Sequence, residues 1–321
     1  MAIDNQVVIN RKMAEVLAIK ADFERFDEWV QAFRESDLKL VRWEDLKEGQ
    51  AIDYALVWQP TTGMFDPHPE IKIIFSIGAG VDHMLGENVL PKGVPVVRMV
   101  ETNLTLGMTE YVTYQILRHH RFMPLYEQFQ RDKNWKEIIQ IPASRRNVGI
   151  MGMGVLGTAC AQVLKSFGFR LFGWSRSEKH IEGIEHYHGP EQLHTMLSYC
   201  DFLICLLPNT QETNHILCAK NLMHLPKQAV LINVGRGSLL VENDLITLLD
   251  SDHLSAAVLD VFQEEPLPTN SPLWNHPRIT ITPHVASMTV PETSAEHIWT
   301  NIKLYRLGHP LTHVADMQRG Y

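Results

Sequence analysis

Two groups of residues have the types and spacing to do chemistry. The first is a glycine loop. In Asn147-Val-Gly-Ile-Met-Gly-Met-Gly-Val-Leu-Gly157 an apolar run leads into Gly152, Gly154 and Gly157, and a helical run, Thr158 to Phe167, follows directly. A strand, three glycines at this spacing and a helix form the arrangement that receives a dinucleotide pyrophosphate. Gly152 permits the tight turn, Gly154 lets the backbone approach the phosphates, and Gly157 lets the helix pack close to the strand. Met153, Val155 and Leu156 complete the loop, and the helix N-terminus supplies amides and the positive end of its dipole. Glycines of an ordinary tight turn are the alternative, and the two flanking elements argue against it.

About 18 residues beyond the third glycine, where an NAD enzyme places an acid for the ribose hydroxyls, the second strand ends in Phe172-Gly-Trp-Ser-Arg-Ser177. That acid is missing. Ser175, Arg176 and Ser177 instead offer hydroxyls and a guanidinium, which suit a 2′-phosphate that a carboxylate would repel. NADP(H) is the expected cofactor, with NAD(H) possible at lower efficiency; the competing reading makes Arg176 a solvated arginine after a strand.

The second group is three polar residues, each just after an apolar run. They are Arg236 in Asn233-Val-Gly-Arg-Gly237, Glu265 in Asp260-Val-Phe-Gln-Glu-Glu-Pro-Leu-Pro268, and His284 in Thr282-Pro-His-Val-Ala-Ser287. Strand ends of one parallel sheet converge on one crevice, so a guanidinium, a carboxylate and an imidazole can meet there. Singly, each has a plainer reading: a loop charge, a solvated acid before a proline, a structural histidine.

The elements that must position these groups are legible as short apolar runs between helical stretches. Gln6 to Asn10, Tyr54 to Trp58, Ile71 to Ile77 and Val94 to Met99 form one series. Asn147 to Met151, Phe169 to Trp174, Asp201 to Leu207, Ala229 to Val234, Ser255 to Leu259 and Arg278 to Thr282 form another. Such alternation predicts two α/β units with parallel sheets. Between them Leu104 to Ser144 reads as a helix interrupted or ended near Pro124, then an irregular segment, a linker or an oligomerisation arm. Glu292 to Arg306 is helical with no strand after it, and so is expected to return to the first unit.

Composition sets the outer bounds. A chain of 321 residues with 45% apolar and 21% charged content can bury the cores of two domains. No apolar run reaches the roughly 18 residues of a membrane helix, and Met1 to Lys20 lacks the apolar centre of a secretory signal, so the cytosol is the expected compartment. The formal charge of −8 is spread along the chain with no basic block, which argues against nucleic acid. Cys160, Cys200, Cys205 and Cys218 have neither zinc-site spacing nor disulfide density and read as reduced, buried thiols. His119 and His120 have no partner at metal-ligand spacing and read as surface or packing residues; no metal is expected.

Taken together, these segments resemble the D-isomer-specific 2-hydroxyacid dehydrogenases over nearly the whole chain. Besides the glycine loop and the three polar segments, the resemblance rests on Ser76-Ile-Gly-Ala-Gly-Val-Asp82, Leu206-Leu-Pro-Asn-Thr-Gln-Glu-Thr213, Ser271-Pro-Leu-Trp274 and Thr282-Pro-His284. Within the family, Asp53-Tyr-Ala-Leu-Val-Trp58, Trp174-Ser-Arg-Ser177 and Arg319-Gly-Tyr321 are most similar to the bacterial glyoxylate/hydroxypyruvate reductases of the A type. The resemblance implies a Rossmann dinucleotide-binding domain, 104–286 with the arm, inserted into a split flavodoxin-like α/β substrate domain made of 1–103 and 287–321. It also implies a homodimer through the arm, with Trp135 reaching the neighbouring active site.

For chemistry, the resemblance implies reduction of a small 2-oxo acid. His284 is then the proton donor, because an imidazole changes protonation near neutral pH. Glu265 holds its ring and favours the imidazolium, while Arg236 grips the substrate carboxylate and polarises the carbonyl. Ala79, Gly80 and Val81, after Gly78, offer backbone amides for a second grip on the carboxylate, and Trp58 closes over the substrate; a glycine-rich turn and a core aromatic are the plainer readings. Leu207, Pro208, Thr213, Val234, Gly235 and Asp260 fall beside the cofactor. Two other classes compete. A formate-type dehydrogenase moves no proton to an alcohol oxygen and has no use for Glu265, and a non-enzymatic dinucleotide sensor would bind without turnover.

Overall fold

The computed structural model describes residues 14–21, 25–317 and 319–320. The chain divides into two compact units, one of Met1–Val100 and Thr289–Met317, the other of Glu101–Met288 and Gln318–Tyr321. The joins fall at 100/101 and 288/289, against 103/104 and 286/287 in the sequence reading.

The first unit opens with β1 (Val16–Lys20), followed by α1 (Phe26–Ala32), β2 (Lys39–Arg42), β3 (Tyr54–Val57), β4 (Ile73–Ser76) and β5 (Val96–Val97). All pair in parallel in a five-stranded sheet of order β2-β1-β3-β4-β5, the flavodoxin-like order. β1 is a strand the sequence reading passed over, and Gln6 to Asn10 lies outside the described residues. Met13-Ala-Glu-Val-Leu-Ala-Ile-Lys20 is rich in helix formers. Burial overrides propensity here: Leu17, Ala18 and Ile19 are buried, and the strand pairs on both sides, with β2 and β3. The C-terminal helix, Pro291–Arg306, packs on α1 and buries Ala295, Ile298 and Ile302, and Val314 beyond it bridges antiparallel to Val97.

An ion-pair network joins distant segments of this unit. Glu15 accepts from Lys72 Nζ at 2.7 Å, Arg306 Nη2 at 2.7 Å and Tyr54 OH at 2.9 Å, and Lys72 also meets Asp53 at 2.7 Å. Burial pushes the Glu15 carboxyl up, but the bonds from Lys72, Arg306 and Tyr54 outweigh it and hold it at about 2.

The second unit begins where Glu101 caps α2 (Thr102–His120), its carboxylate accepting from the Asn103 and Leu104 amides at 2.7 Å each. The helix ends as expected before Pro124. Phe122 turns left-handed with φ 58°, and Pro124 sits in the first turn of α3 (Met123–Arg131), where its missing N–H leaves no helical bond unmade. The path from there to Ala143 carries no regular element. His120 is buried edge-on against Phe169, and burial together with the Arg118 charge pushes His119 down to about 4; both are packing residues.

The remaining elements are β6 (Asn147–Met151), α4 (Val155–Ser166), β7 (Arg170–Ser175), β8 (Glu185–His188), α5 (Gly189–Leu197), β9 (Phe202–Cys205), α6 (Ala219–Leu222), β10 (Ala229–Asn233), α7 (Glu242–Asp250), β11 (Leu254–Leu259) and β12 (Ile279–Ile281); Pro291–Arg306 is then α8. Seven parallel strands run in the order β12-β11-β10-β9-β6-β7-β8. Strand order reverses between β6 and β9, as in a Rossmann sheet. One face is covered by Met108, Val112 and Ile116 of α2 with Cys160 and Leu164 of α4, the other by leucines of α5, α6 and α7. Cys160, Cys200 and Cys205 are buried, with burial pushing Cys160 and Cys205 up to about 12; Cys218, expected to be buried, is half-exposed, and none is disulfide-bonded. Among the described residues no helix is long and apolar enough to cross a membrane.

Candidate active site

The loop between β6 and α4 lies at the reversal point of the sheet, where open α/β sheets take ligands. Two of its glycines have no substitute. Gly152 has φ +103°, and a Cβ there would lie 2.7 Å from the Leu206 carbonyl oxygen; a Cβ on Gly157 would lie 2.0 Å from the Gly152 carbonyl oxygen. Gly154 differs, since a Cβ there would meet nothing within 4 Å. It is the N-cap of α4, whose first turn has no side-chain cap, so no side chain at this position crowds the approach to the helix N-terminus. A dinucleotide pyrophosphate fits such a cradle. Helix α4 starts at Val155, three residues before the expected Thr158. Met153 is buried, Leu156 half-buried and Val155 exposed.

Strand β7 ends at Ser175. The sequence reading offers this hydroxyl to a phosphate, but its hydrogen goes to the Ser177 carbonyl at 2.8 Å, closing the turn that carries Arg176. Thr213 is likewise spent within its own loop: its hydroxyl donates to the Pro208 carbonyl at 2.6 Å and accepts from the Thr210 amide at 2.9 Å. Leu207 and Val234 are buried, and a Cβ on Gly235 would lie 2.8 Å from the Leu207 carbonyl oxygen, so the loops after β9 and β10 touch there.

The three polar residues sit on the loops after β10, β11 and β12. Gly237 decides how the first two meet, because a Cβ there would fall 1.8 Å from the Phe262 carbonyl carbon. That close approach sets Arg236 beside the segment bearing Glu265. Arg236 donates from Nη1 to the Gly235 carbonyl at 2.7 Å, and its own carbonyl accepts from Asn233 Nδ2 at 3.0 Å. Glu265 Oε1 accepts from the Phe262 amide at 2.9 Å, and Glu265 Oε2 lies 2.8 Å from His284 Nδ1. Burial pushes the Glu265 carboxyl up, yet the bonds from His284 and the Phe262 amide and the charges of His284 and Arg236 hold it below its ordinary value.

His284 has φ 56°, a conformation that costs a non-glycine residue on the order of 1 kcal/mol or more. Asp260, fully buried at the end of β11, offsets that cost. Its backbone carbonyl takes the His284 amide at 2.8 Å, its Oδ1 takes the Thr282 hydroxyl at 2.5 Å and the Val285 amide at 2.9 Å, and its Oδ2 takes the Ala286 amide at 2.9 Å. Burial raises the Asp260 carboxyl despite these donors. Tyr111 of α2 adds a hydroxyl contact to Thr282 at 2.6 Å. Asp260, expected beside the cofactor, is thus also the anchor of the His284 loop, and Asn233, Thr282 and Tyr111 are supports the sequence reading did not pick out.

In the first unit, Trp58 lies half-buried against the loop after β4. Its ring is 4.2 Å from the His83 ring, and a Cβ on Gly78 would be 2.9 Å from the indole. Ser76 pins the same loop, donating to the Gly80 carbonyl at 3.1 Å and accepting from the Gly78 amide at 3.3 Å. Ala79 and Gly80 are half-buried and Val81 is fully buried.

An imidazole oriented by a carboxylate, on the same strand ends as a glycine loop that fits a dinucleotide, is equipment suited to a nicotinamide-dependent oxidoreductase. Comparison with known proteins gives the class a family. The model of the D-isomer specific 2-hydroxyacid dehydrogenase NAD binding domain matches residues 113–286. Glyoxylate/hydroxypyruvate reductase A of Yersinia enterocolitica is 40% identical over 277 residues, 85% of this chain and 88% of that protein. A D-isomer specific 2-hydroxyacid dehydrogenase of Xanthobacter autotrophicus Py2, solved with NADPH and MES, superposes with a TM-score of 0.91 at 36% identity, covering 96% of this chain and 100% of that one. The NADPH-dependent glyoxylate/hydroxypyruvate reductase of Sinorhizobium meliloti, solved with NADP and sulfate, gives 0.90 at 38% identity over 96% and 100%. The chain belongs to the D-isomer specific 2-hydroxyacid dehydrogenases.

Proposed function

We propose that this protein reduces small 2-oxo acids, glyoxylate and hydroxypyruvate among them, to 2-hydroxy acids with NADPH, and that NADH serves less well. The observation that carries the reading is the 2.8 Å contact between His284 Nδ1 and Glu265. A bound reduced nicotinamide supplies the hydride to C2 of the oxo acid. The chain's residues do the rest. With Nδ1 committed to Glu265, proton delivery to the carbonyl oxygen falls to Nε2 of the protonated His284 ring. Glu265, its carboxyl held below its ordinary value, fixes the ring. Arg236 binds the substrate carboxylate and stabilises the charge that develops on the oxygen. One hydride and one proton thus convert the oxo acid to the hydroxy acid. Ala79, Gly80 and Val81 are proposed as a second carboxylate grip, with Trp58 bounding the substrate.

Two alternatives are separable by measurement. Formate oxidation ends in carbon dioxide with no alcohol oxygen to protonate, so a histidine–carboxylate pair weighs against it; a dinucleotide sensor would bind cofactor with negligible turnover. The test is an initial-rate panel of glyoxylate, hydroxypyruvate, pyruvate and a bulkier oxo acid with NADPH and with NADH, with formate and NADP as a further arm. Turnover of the first two with NADPH is expected to lead. Faster formate-dependent reduction, or binding without turnover, would replace this reading by the corresponding alternative.

The proposal extends to a homodimer through the arm. Trp135 and Ile139 are 98% and 92% exposed, large apolar side chains that association would cover. Sedimentation of the wild type and of Trp135→Ala checks it, a dimer weakened by the substitution being the expected result.

A further inference from the structure

The half-buried His186 on β8 takes no part in the chemistry above, yet its ring nitrogens hold both ends of one turn. Nε2 lies 2.8 Å from Ser175 Oγ, and Nδ1 lies 3.3 Å from the backbone amide of Lys179. A backbone N–H only donates, so Nδ1 is the acceptor. The proton of the neutral ring is then on Nε2, which donates to Ser175. Ser175 in turn passes its hydrogen to the Ser177 carbonyl at 2.8 Å. These three bonds close residues 175–179 into a turn that carries Arg176 and Ser177 between its clamped ends.

The same turn is tied to the glycine loop. Lys179 Nζ donates to the Met153 carbonyl at 2.5 Å. Gly173, the register partner of His186 on β7, makes the room: a Cβ there would lie 2.9 Å from Met153 Cγ and 3.3 Å from His186 Cδ2. Burial first, and then neighbouring charge, favour the neutral ring that this clamp needs. Burial, then His188 on the same strand and Lys179 on the turn, push His186 below its ordinary range, against the opposing pull of Glu178.

We infer that His186 is a positioning residue for the 2′-phosphate of NADP, presetting the backbone from which Arg176 and Ser177 are offered to that phosphate. A phosphate needs several donors at once, and donors ordered beforehand lose less freedom on binding. The inference rests on the NADPH reading above and on the expectation that Arg176 and Ser177 receive the 2′-phosphate, and the test separates the two.

KM for NADPH and for NADH, with kcat, is measured for the wild type, His186→Ala, His186→Gln and Arg176→Ala, with thermal midpoints to confirm folding. Loss of the clamp bonds is expected to raise KM for NADPH about five- to tenfold in His186→Ala, with KM for NADH and kcat moving far less. His186→Gln, whose carboxamide keeps one donor and one acceptor, is expected to recover most of the loss. If Arg176→Ala raises KM for NADPH while His186→Ala does not, or if His186→Ala weakens both cofactors alike, the positioning role is overturned and the phosphate site stands. If Arg176→Ala leaves the NADPH preference intact, the phosphate site itself is wrong and the inference falls with it.

Discussion

At the scale of single residues, the pairing of Glu265 with His284 makes the clearest demands. A carboxylate held below its ordinary value stays ionised throughout the neutral range, so its hold on the His284 ring is constant there. Glu265→Gln keeps the shape and removes the charge; kcat for glyoxylate reduction is expected to fall by about 10- to 100-fold, with KM for NADPH little changed. A steady-state comparison at pH 7 checks this, and an unaltered kcat would remove Glu265 from the mechanism. Arg236→Lys keeps the charge but loses the planar fork, so KM for the oxo acid is expected to rise about tenfold or more. Equal KM values in the two proteins would argue that Arg236 does not grip the carboxylate.

At the scale of elements, the site is a set of strand-end loops held at fixed distances by very small or very buried residues. Gly237→Ala would place a methyl group 1.8 Å from the Phe262 carbonyl carbon, so the loops after β10 and β11 must part. The expected outcome is destabilisation by several kcal/mol, visible as a lowered thermal midpoint, together with lost activity. Asp260→Asn would turn an amide donor toward backbone N–H groups that now find acceptors, costing about 1–3 kcal/mol and loosening the His284 loop. Much of this scale was legible beforehand. Each strand-end loop carries a polar residue after an apolar run, and the runs that became β6, β9, β10 and β11 are buried parallel strands with little polar interruption. Three strands were not legible, for physical reasons. β8 is a polar edge strand, Glu185-His-Tyr-His188, β2 is a short edge strand with charged ends, and β1 has helix-forming residues that only its two neighbours make into a strand. The supports of the site stayed hidden as well, because contacts such as Tyr111 with Thr282 span 171 residues and leave no local pattern.

At the scale of the whole molecule, the first unit is assembled from both ends of the chain, and its ion-pair network joins residues as far apart as Glu15 and Arg306. Its pH dependence has a definite sign. Glu15 is held at about 2, below the usual 4.5, so its stabilising contribution is complete above the ordinary value and is lost as pH falls toward 2. Allowing for partial solvent contact, that contribution is on the order of 2 kcal/mol. Glu15→Gln is expected to be less stable at pH 7 and to lose less further stability between about pH 5 and pH 2 than the wild type. Denaturant midpoints across that range check it; parallel pH curves for the two proteins would show that the network does not act through Glu15.

The central claim is that His284 delivers the proton when an oxo acid is reduced. It is tested most directly by the single-turnover rate of NADPH absorbance loss on mixing with glyoxylate, in the wild type and in His284→Ala. The account predicts a rate at least about 100-fold slower in the variant, with NADPH still bound. A variant that consumed NADPH as fast as the wild type would contradict it.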